Sequence, residues 1–203
     1  MSTTIHRFSS LASTNQTLWE LLDQGSPEGT VVISGEQTAG RGQWGRQWES
    51  SLGGLYLSLA LKPNWPATNS GDLTIATAWG VATTLRHHQI PLQLKPPNDL
   101  FLQGRKLGGI LTETRIQKGI ITAAVIGVGI NWANLVPEVG INLQSYWQSQ
   151  QIKPQISSLA MLESITLEGI FLGYKQLRTA GLDSFLPSYQ DLLLKNQENL
   201  QQS

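Results

Sequence analysis

Arg41, Arg46 and Lys106 are the side chains in this sequence whose type and glycine-rich setting suit work on an anion. The segment from Gly35 to Trp48 reads GEQTAGRGQWGRQW. Gly40, Gly42 and Gly45 let the backbone approach a ligand closely or take positive φ, while the two arginines offer forked donors matched to phosphate or carboxylate oxygens. The same loop also reads as a hairpin connection with solvated arginines. Fixed cations of this kind suit one reaction class well. A carboxylate is a poor electrophile, so joining it to an amine in water calls for activation, commonly by attack on the α-phosphate of ATP to give an acyl-adenylate. That step needs cations and donors where carboxylate meets phosphate, usually with Mg²⁺, and needs no protein nucleophile.

The elements that must hold these residues follow from periodicity and turn chemistry. Strand-like segments are expected at Ile5 to Phe8, Thr30 to Ser34, Leu55 to Leu61, Leu92 to Lys95, Leu100 to Gln103, Gly109 to Arg115 and Ile120 to Val128. Turns are marked by Asn98-Asp99, Gly104-Arg105 and Lys118-Gly119. Helices are expected at Asn15 to Gln24, with Ser13 or Thr14 as N-cap and Gly25 as terminator, at Leu73 to His88, and at Ser158 to about Thr179 before Gly181. Leu18, Leu21 and Leu22 form the inner face of the first helix, and Ile75, Ala78, Ala82 and Leu85 that of the second. The fold class is α+β, a mixed and largely antiparallel sheet packed by helices. The last segment, KNQENLQQS, reads as a fraying helix end.

Four segments stand in order between residue 13 and about residue 135: Ser13-Thr14-Asn15, the EQTAGRG loop, KPPNDLFLQGRKLGGILTE from Lys95 to Glu113, and VIGVGINWAN from Val125 to Asn134. Together they resemble the signature segments of biotin protein ligases. The resemblance implies a catalytic domain like that of class II aminoacyl-tRNA synthetases at residues 1–182, with a helical tail at 183–203. It implies ATP, Mg²⁺ and biotin as ligands, a biotinyl-adenylate intermediate, and transfer to a lysine of the biotin carboxyl carrier protein of acetyl-CoA carboxylase.

The same resemblance assigns roles by position. Ser13, Thr14, Asn15 and Gln37 would bind the biotin head group, whose ureido ring offers both donors and an acceptor. Arg41 and Gly42, with Gln43, would sit over the valeryl carboxylate and phosphate. Lys106 would bridge carboxylate and α-phosphate oxygens, and with Arg41 it is the catalytic candidate. Gly40, Arg46, Trp48, Asn98 and Asn131 would serve the nucleotide, and Asn98, Asp99 and Asn131 the metal. Read without the family pattern, Asn98-Asp99 is a simple turn, Asn131 a strand-end cap, Ser13-Thr14 a helix N-cap, and Arg46 and Trp48 a solvated arginine and a packed tryptophan. Phe101, Leu107 and Ile110 are assigned to sheet packing, and Gly108-Gly109 to close approach of a ligand. Trp19, Trp79 and Trp147 read as core or amphipathic surface. His6, His87 and His88 lack ligand-like spacing and are not read as metal ligands.

Departures from the family pattern stand beside these matches. Gln43 and Trp44 occupy places where further basic residues are frequent, and Pro96 replaces a usual tryptophan. The chain stops where most such ligases continue into a small β-barrel-like domain. With Ser13 already in the catalytic motif, no helix-turn-helix is expected ahead of it.

Composition narrows the remaining classes. The 203 residues include 14 Lys plus Arg against 14 Asp plus Glu, so no overall field draws the molecule to nucleic acid or an anionic membrane. No window reads as a bilayer span or secretory signal, and a cytoplasmic protein is expected. Zero cysteines exclude a thiolate nucleophile, and with it the octanoyl-transferase branch of related chemistry. A lipoate ligase remains an alternative, as does a protein that holds biotin or its adenylate with weak transfer. A homodimer through a sheet edge is also open.

Overall fold

Leu55–Leu61, LYLSLAL, is buried at every position, as a central strand covered on both faces must be. A computed structural model describes residues 3–194. Strands β1 (Thr4–Leu11), β2 (Thr30–Gln37), β3 (Leu55–Leu61), β4 (Trp65–Pro66), β5 (Gln93–Lys95), β6 (Asp99–Leu102), β7 (Arg105–Gln117) and β8 (Ile120–Ile130) form one sheet of order β1-β2-β3-β8-β7-β6-β5, with β4 pairing the start of β8. β1 lies parallel to β2 and the remaining pairs among these strands are antiparallel. The expected mixed, largely antiparallel sheet is therefore present.

Helices α1 (Thr14–Asp23), α2 (Ser70–His87), α3 (Leu143–Gln150), α4 (Leu159–Ala180) and α5 (Leu186–Asp191) cover this sheet unequally. Alternation along β3 separates its two faces. Leu55, Leu57, Leu59 and Leu61 enter the main core with residues of α2 and α4, whereas Ala60 joins a smaller cluster with Leu18, Val32 and Val125 beneath α1. Because α1 is only 10 residues long, it covers part of that second face and leaves the rest for a cleft.

Several expected boundaries move. The turn placed at Asn98-Asp99 falls on Pro96 to Asn98, with Asp99 already in β6, and the one placed at Gly104-Arg105 falls on Gln103-Gly104. Gln103 and Gly104 both take positive φ, a two-residue hairpin connection that sequence alone shifted by one position. Helix α3 and the two-residue β4 were not anticipated. The packing continues past residue 182: Phe185, Tyr189 and Leu192 are buried in the main core, and Leu94 donates its N–H to Leu192 O and accepts from Leu194 N–H. The KNQENLQQS segment lies outside the described residues.

Candidate active site

The cleft lies where side chains are missing from two neighbouring strands. Gly109 on β7 pairs with Gly129 on β8, and Gly127 sits two residues earlier on the same face. A Cβ on Gly127 would stand 2.3 Å from Asn15 Oδ1, and one on Gly129 would stand 2.5 Å from Trp48 Nε1. These glycines thus admit Asn15 and the indole of Trp48. The resulting cleft of about 280 Å³ is lined by Ser13, Thr14, Asn15, Gln37, Arg41, Gly42, Gln43, Arg46, Trp48, Asn98, Asp99 and Lys106 among others. Residues expected at the site from three separate segments therefore line one cleft, and the fourth segment contributes Gly127, Val128 and Gly129 to it.

One end is polar and neutral. Ser13 stands at the N-cap of α1 in an extended conformation and makes no side-chain cap bond. Thr14 donates its N–H to Gln37 Oε1 at 2.8 Å, while Gln37 Nε2 donates to Ser50 Oγ at 2.8 Å. Beneath them the buried Ser58 hydroxyl shares its donor between Thr14 Oγ1 at 2.8 Å and Asn15 Oδ1 at 2.6 Å. The network fixes the hydroxyl and amide groups of uncharged side chains, with Asn15 Nδ2 tied behind them to Glu113 Oε2 at 3.0 Å.

The other end is cationic. Lys106 Nζ lies 2.6 Å from Asp99 Oδ1 and 5.4 Å from the Trp48 ring centre. Its strand is fixed from behind, where Lys106 N–H donates to Val139 O and Ile141 N–H donates to Lys106 O. Arg41 reaches Glu113 from a narrow loop closed by the Arg41–Gln47 bridge, and Arg46 is exposed beside it. Trp48 Nε1 is buried without a partner. An orphaned donor of that kind costs about 1–3 kcal/mol, which an acceptor on a bound ligand would relieve.

Two expected nucleotide residues stand apart from this lining. Gly40 presses against the Trp48 carbonyl, where a Cβ would approach to 2.3 Å, so it sets loop geometry. Asn131 is 5% exposed; it donates to Ile141 O at 3.2 Å and accepts from Asn134 at 3.0 Å, so its amide organises the turn after β8. Asn98 lines the cleft while donating to Ile110 O at 2.9 Å. Gly108 also differs from expectation: it faces the Gly129 carbonyl, and only Gly109 of that pair lines the cleft.

Sequence reasoning passed over Ser58, Tyr56, Glu113 and the glycines of β8. The alternating G-V-G at 127–129 carried a usable signal, because a period of two puts both glycines on one face. Tyr56 donates to Ser51 O at 2.7 Å, and burial raises its phenol above the ordinary value. Among the described residues no three of His, Cys, Asp and Glu gather as a metal site, and no helix is long and apolar enough to cross a membrane. The donor set of Asp99 and Asn98 fits Mg²⁺ carried by a nucleotide, since that ion takes one or two protein oxygens beside phosphate and water.

Comparison with known proteins agrees with this geometry. The profile of the biotin/lipoate A/B protein ligase family matches residues 8–131. The bifunctional ligase/repressor BirA of Bacillus subtilis is 39% identical over 123 residues, covering 60% of this chain and 38% of that protein. The biotin--[acetyl-CoA-carboxylase] ligase of Paracoccus denitrificans is 34% identical over 112 residues, covering 54% and 46% respectively. The matches thus span less than half the length of these curated relatives. The biotin protein ligase of Aquifex aeolicus, solved in complex with biotin and ATP, superimposes with a TM-score of 0.77 at 25% identity, covering 95% of this chain and 79% of that one. With most of its length matched by the family profile and its cleft built from the segments in that match, the chain belongs to the biotin/lipoate A/B protein ligase family.

Proposed function

We propose that this chain activates biotin with ATP to give biotinyl-5′-adenylate and passes the biotinyl group to a lysine of a biotin carboxyl carrier protein, in a cytoplasmic setting where ATP is plentiful. The observation that carries this reading is the polarity of one cleft, with a neutral hydrogen-bonding floor at Thr14, Asn15, Gln37 and Ser58 and cations at Lys106 and Arg41. A ureido ring brings both donors and an acceptor to such hydroxyl and amide groups, whereas the dithiolane of lipoate has no amide to offer them.

In the first step a carboxylate oxygen of biotin attacks the α-phosphorus, the bond to the bridging oxygen of the β-phosphate breaks, and pyrophosphate leaves. In the second, the acceptor amine attacks the acyl carbon, loses a proton, and AMP departs with the electrons of the C–O bond. Lys106 supplies a compact positive charge where carboxylate and α-phosphate oxygens converge, and Asp99 at 2.6 Å holds that ammonium in place until they do. Arg41 and Arg46 face the remaining phosphate oxygens, Trp48 offers its ring and free N–H to the base, and Mg²⁺ would neutralise phosphate charge with Asp99 and Asn98 nearby. No thiol is required, in keeping with zero cysteines.

Pyrophosphate release measured with ATP and Mg²⁺ tests this directly. Release stimulated by biotin and not by lipoate is the expected result. Stimulation by lipoate alone would move the chain to the other branch of the family, and tight biotin binding without release would leave a binding protein.

A further inference from the structure

Glu113 belongs to the cleft side of β7, four residues beyond Gly109, and joins parts of the molecule that are far apart in sequence. Its Oε2 accepts from Asn15 Nδ2 and from Trp19 Nε1, both at 3.0 Å. Its Oε1 lies 3.2 Å from Arg41 Nη2, and the same nitrogen is 3.3 Å from Oε2. Helix α1, the Gly/Arg loop and β7 therefore share one carboxylate. Arg41 touches it through a single nitrogen, so Nη1 and Nε stay available to an anion. A half-exposed arginine between two glycines has many rotamers to choose from, and a fixed carboxylate removes that choice before a ligand arrives.

We infer that Glu113 is the positioning residue that aims the Arg41 guanidinium into the cleft and sets its distance from Asn15. The nature of the ligand at the Asn15 end rests on the biotin reading; the tie between Glu113 and Arg41 does not. Glu113→Gln separates the two halves of the role. Its amide oxygen keeps accepting from Asn15 and Trp19, while its NH₂ faces Arg41 with no negative charge.

Calorimetry with inorganic pyrophosphate and with biotin methyl ester, which has the head group but no carboxylate, reads the halves independently. In Glu113→Gln, pyrophosphate affinity falls about tenfold and methyl ester affinity stays within about threefold of wild type. Glu113→Ala weakens both. In an Arg41→Ala background, Glu113→Gln has no further effect on pyrophosphate. The inference is overturned if Glu113→Gln binds pyrophosphate as wild type does, if its loss persists without Arg41, or if wild type does not bind pyrophosphate at all. Failure of wild type to bind the methyl ester counts against the biotin reading instead, and the pyrophosphate comparison still decides the role of Glu113.

Discussion

The absence of three side chains, at Gly109, Gly127 and Gly129, opens the cleft, and the neighbours of the β8 pair differ enough to make separate tests. An added methyl at Gly127 meets Asn15 Oδ1, which Ser58 already holds, so Asn15 must leave its network. An added methyl at Gly129 meets the Trp48 indole. Gly127→Ala should therefore weaken biotin binding by about tenfold or more with ATP binding largely kept, and Gly129→Ala the reverse. Calorimetric titration of each variant with each ligand checks this, and equal losses for both ligands in both variants would count against a two-ended cleft. At this scale Arg41, Lys106 and Asn15 were legible through their places in the family-like segments, and all three line the cleft. Glu113 stayed hidden because its role depends on partners 72 and 98 residues away. Asn131 was misleading for the converse reason, since its place in the motif does not reveal that its amide is already committed to Ile141 and Asn134.

Between elements, α2 and α4 pack closely against each other as they back the sheet. A Cβ on Gly80 would lie 2.0 Å from Gly169 O, and one on Gly173 would lie 2.0 Å from Ala76 O. Glycine inside a helix is ordinarily a cost of roughly 0.5–1 kcal/mol relative to alanine. Here the backbones touch, and Thr84 Oγ1 bridges to Ile165 O at 3.2 Å. Gly173→Ala should thus destabilise the protein by about 1–3 kcal/mol despite its better helix propensity, because the helices must separate to admit a methyl group. Denaturant unfolding monitored by far-UV circular dichroism measures it, and a stabilised variant would show that the seam has slack. Strand β3 and both long helices were legible to within a few residues because their apolar patterns are long and unbroken. Helix α3 was not, being 8 residues of LQSYWQSQ with little apolar contrast; its start depends on Asn142, whose side chain accepts from Ser145 N–H at 2.8 Å. Such a cap is visible in a sequence only after the helix is known to be there.

For the molecule as a whole, three buried phenols make stability depend on pH in the alkaline range. Burial, aided by the nearby Glu28 carboxylate, pushes Tyr174 up to about 12, and burial also raises Tyr56 and Tyr189. The fold favours the neutral phenol. The stability this confers is complete below the ordinary tyrosine value near 10 and is lost as pH climbs from about 10 toward about 12, because the unfolded chain then releases protons that the folded one retains. The thermal unfolding midpoint should fall across that window, and fall less in Tyr174→Phe; an equal fall in that variant would assign alkaline loss elsewhere. The C-terminal part of the described chain shares in this stability. Phe185 stacks on Trp79 with ring centres 4.7 Å apart, and Leu193 pairs with Leu94 at the sheet edge. The boundary at residue 182 that the family resemblance implied takes no account of these contacts, which join residues distant in sequence.

The most direct test of the central claim is biotin transfer to a biotin carboxyl carrier domain with ATP and Mg²⁺, followed by intact mass, for wild type and Lys106→Ala. The expected result is one biotinyl group added to the carrier lysine by wild type, and a rate lower by about 10²–10³ in the variant, the loss typical when one preorganised charge-stabilising donor is removed. Wild type that binds biotin tightly and leaves the carrier unmodified, or a Lys106→Ala variant that transfers at the wild-type rate, would contradict it.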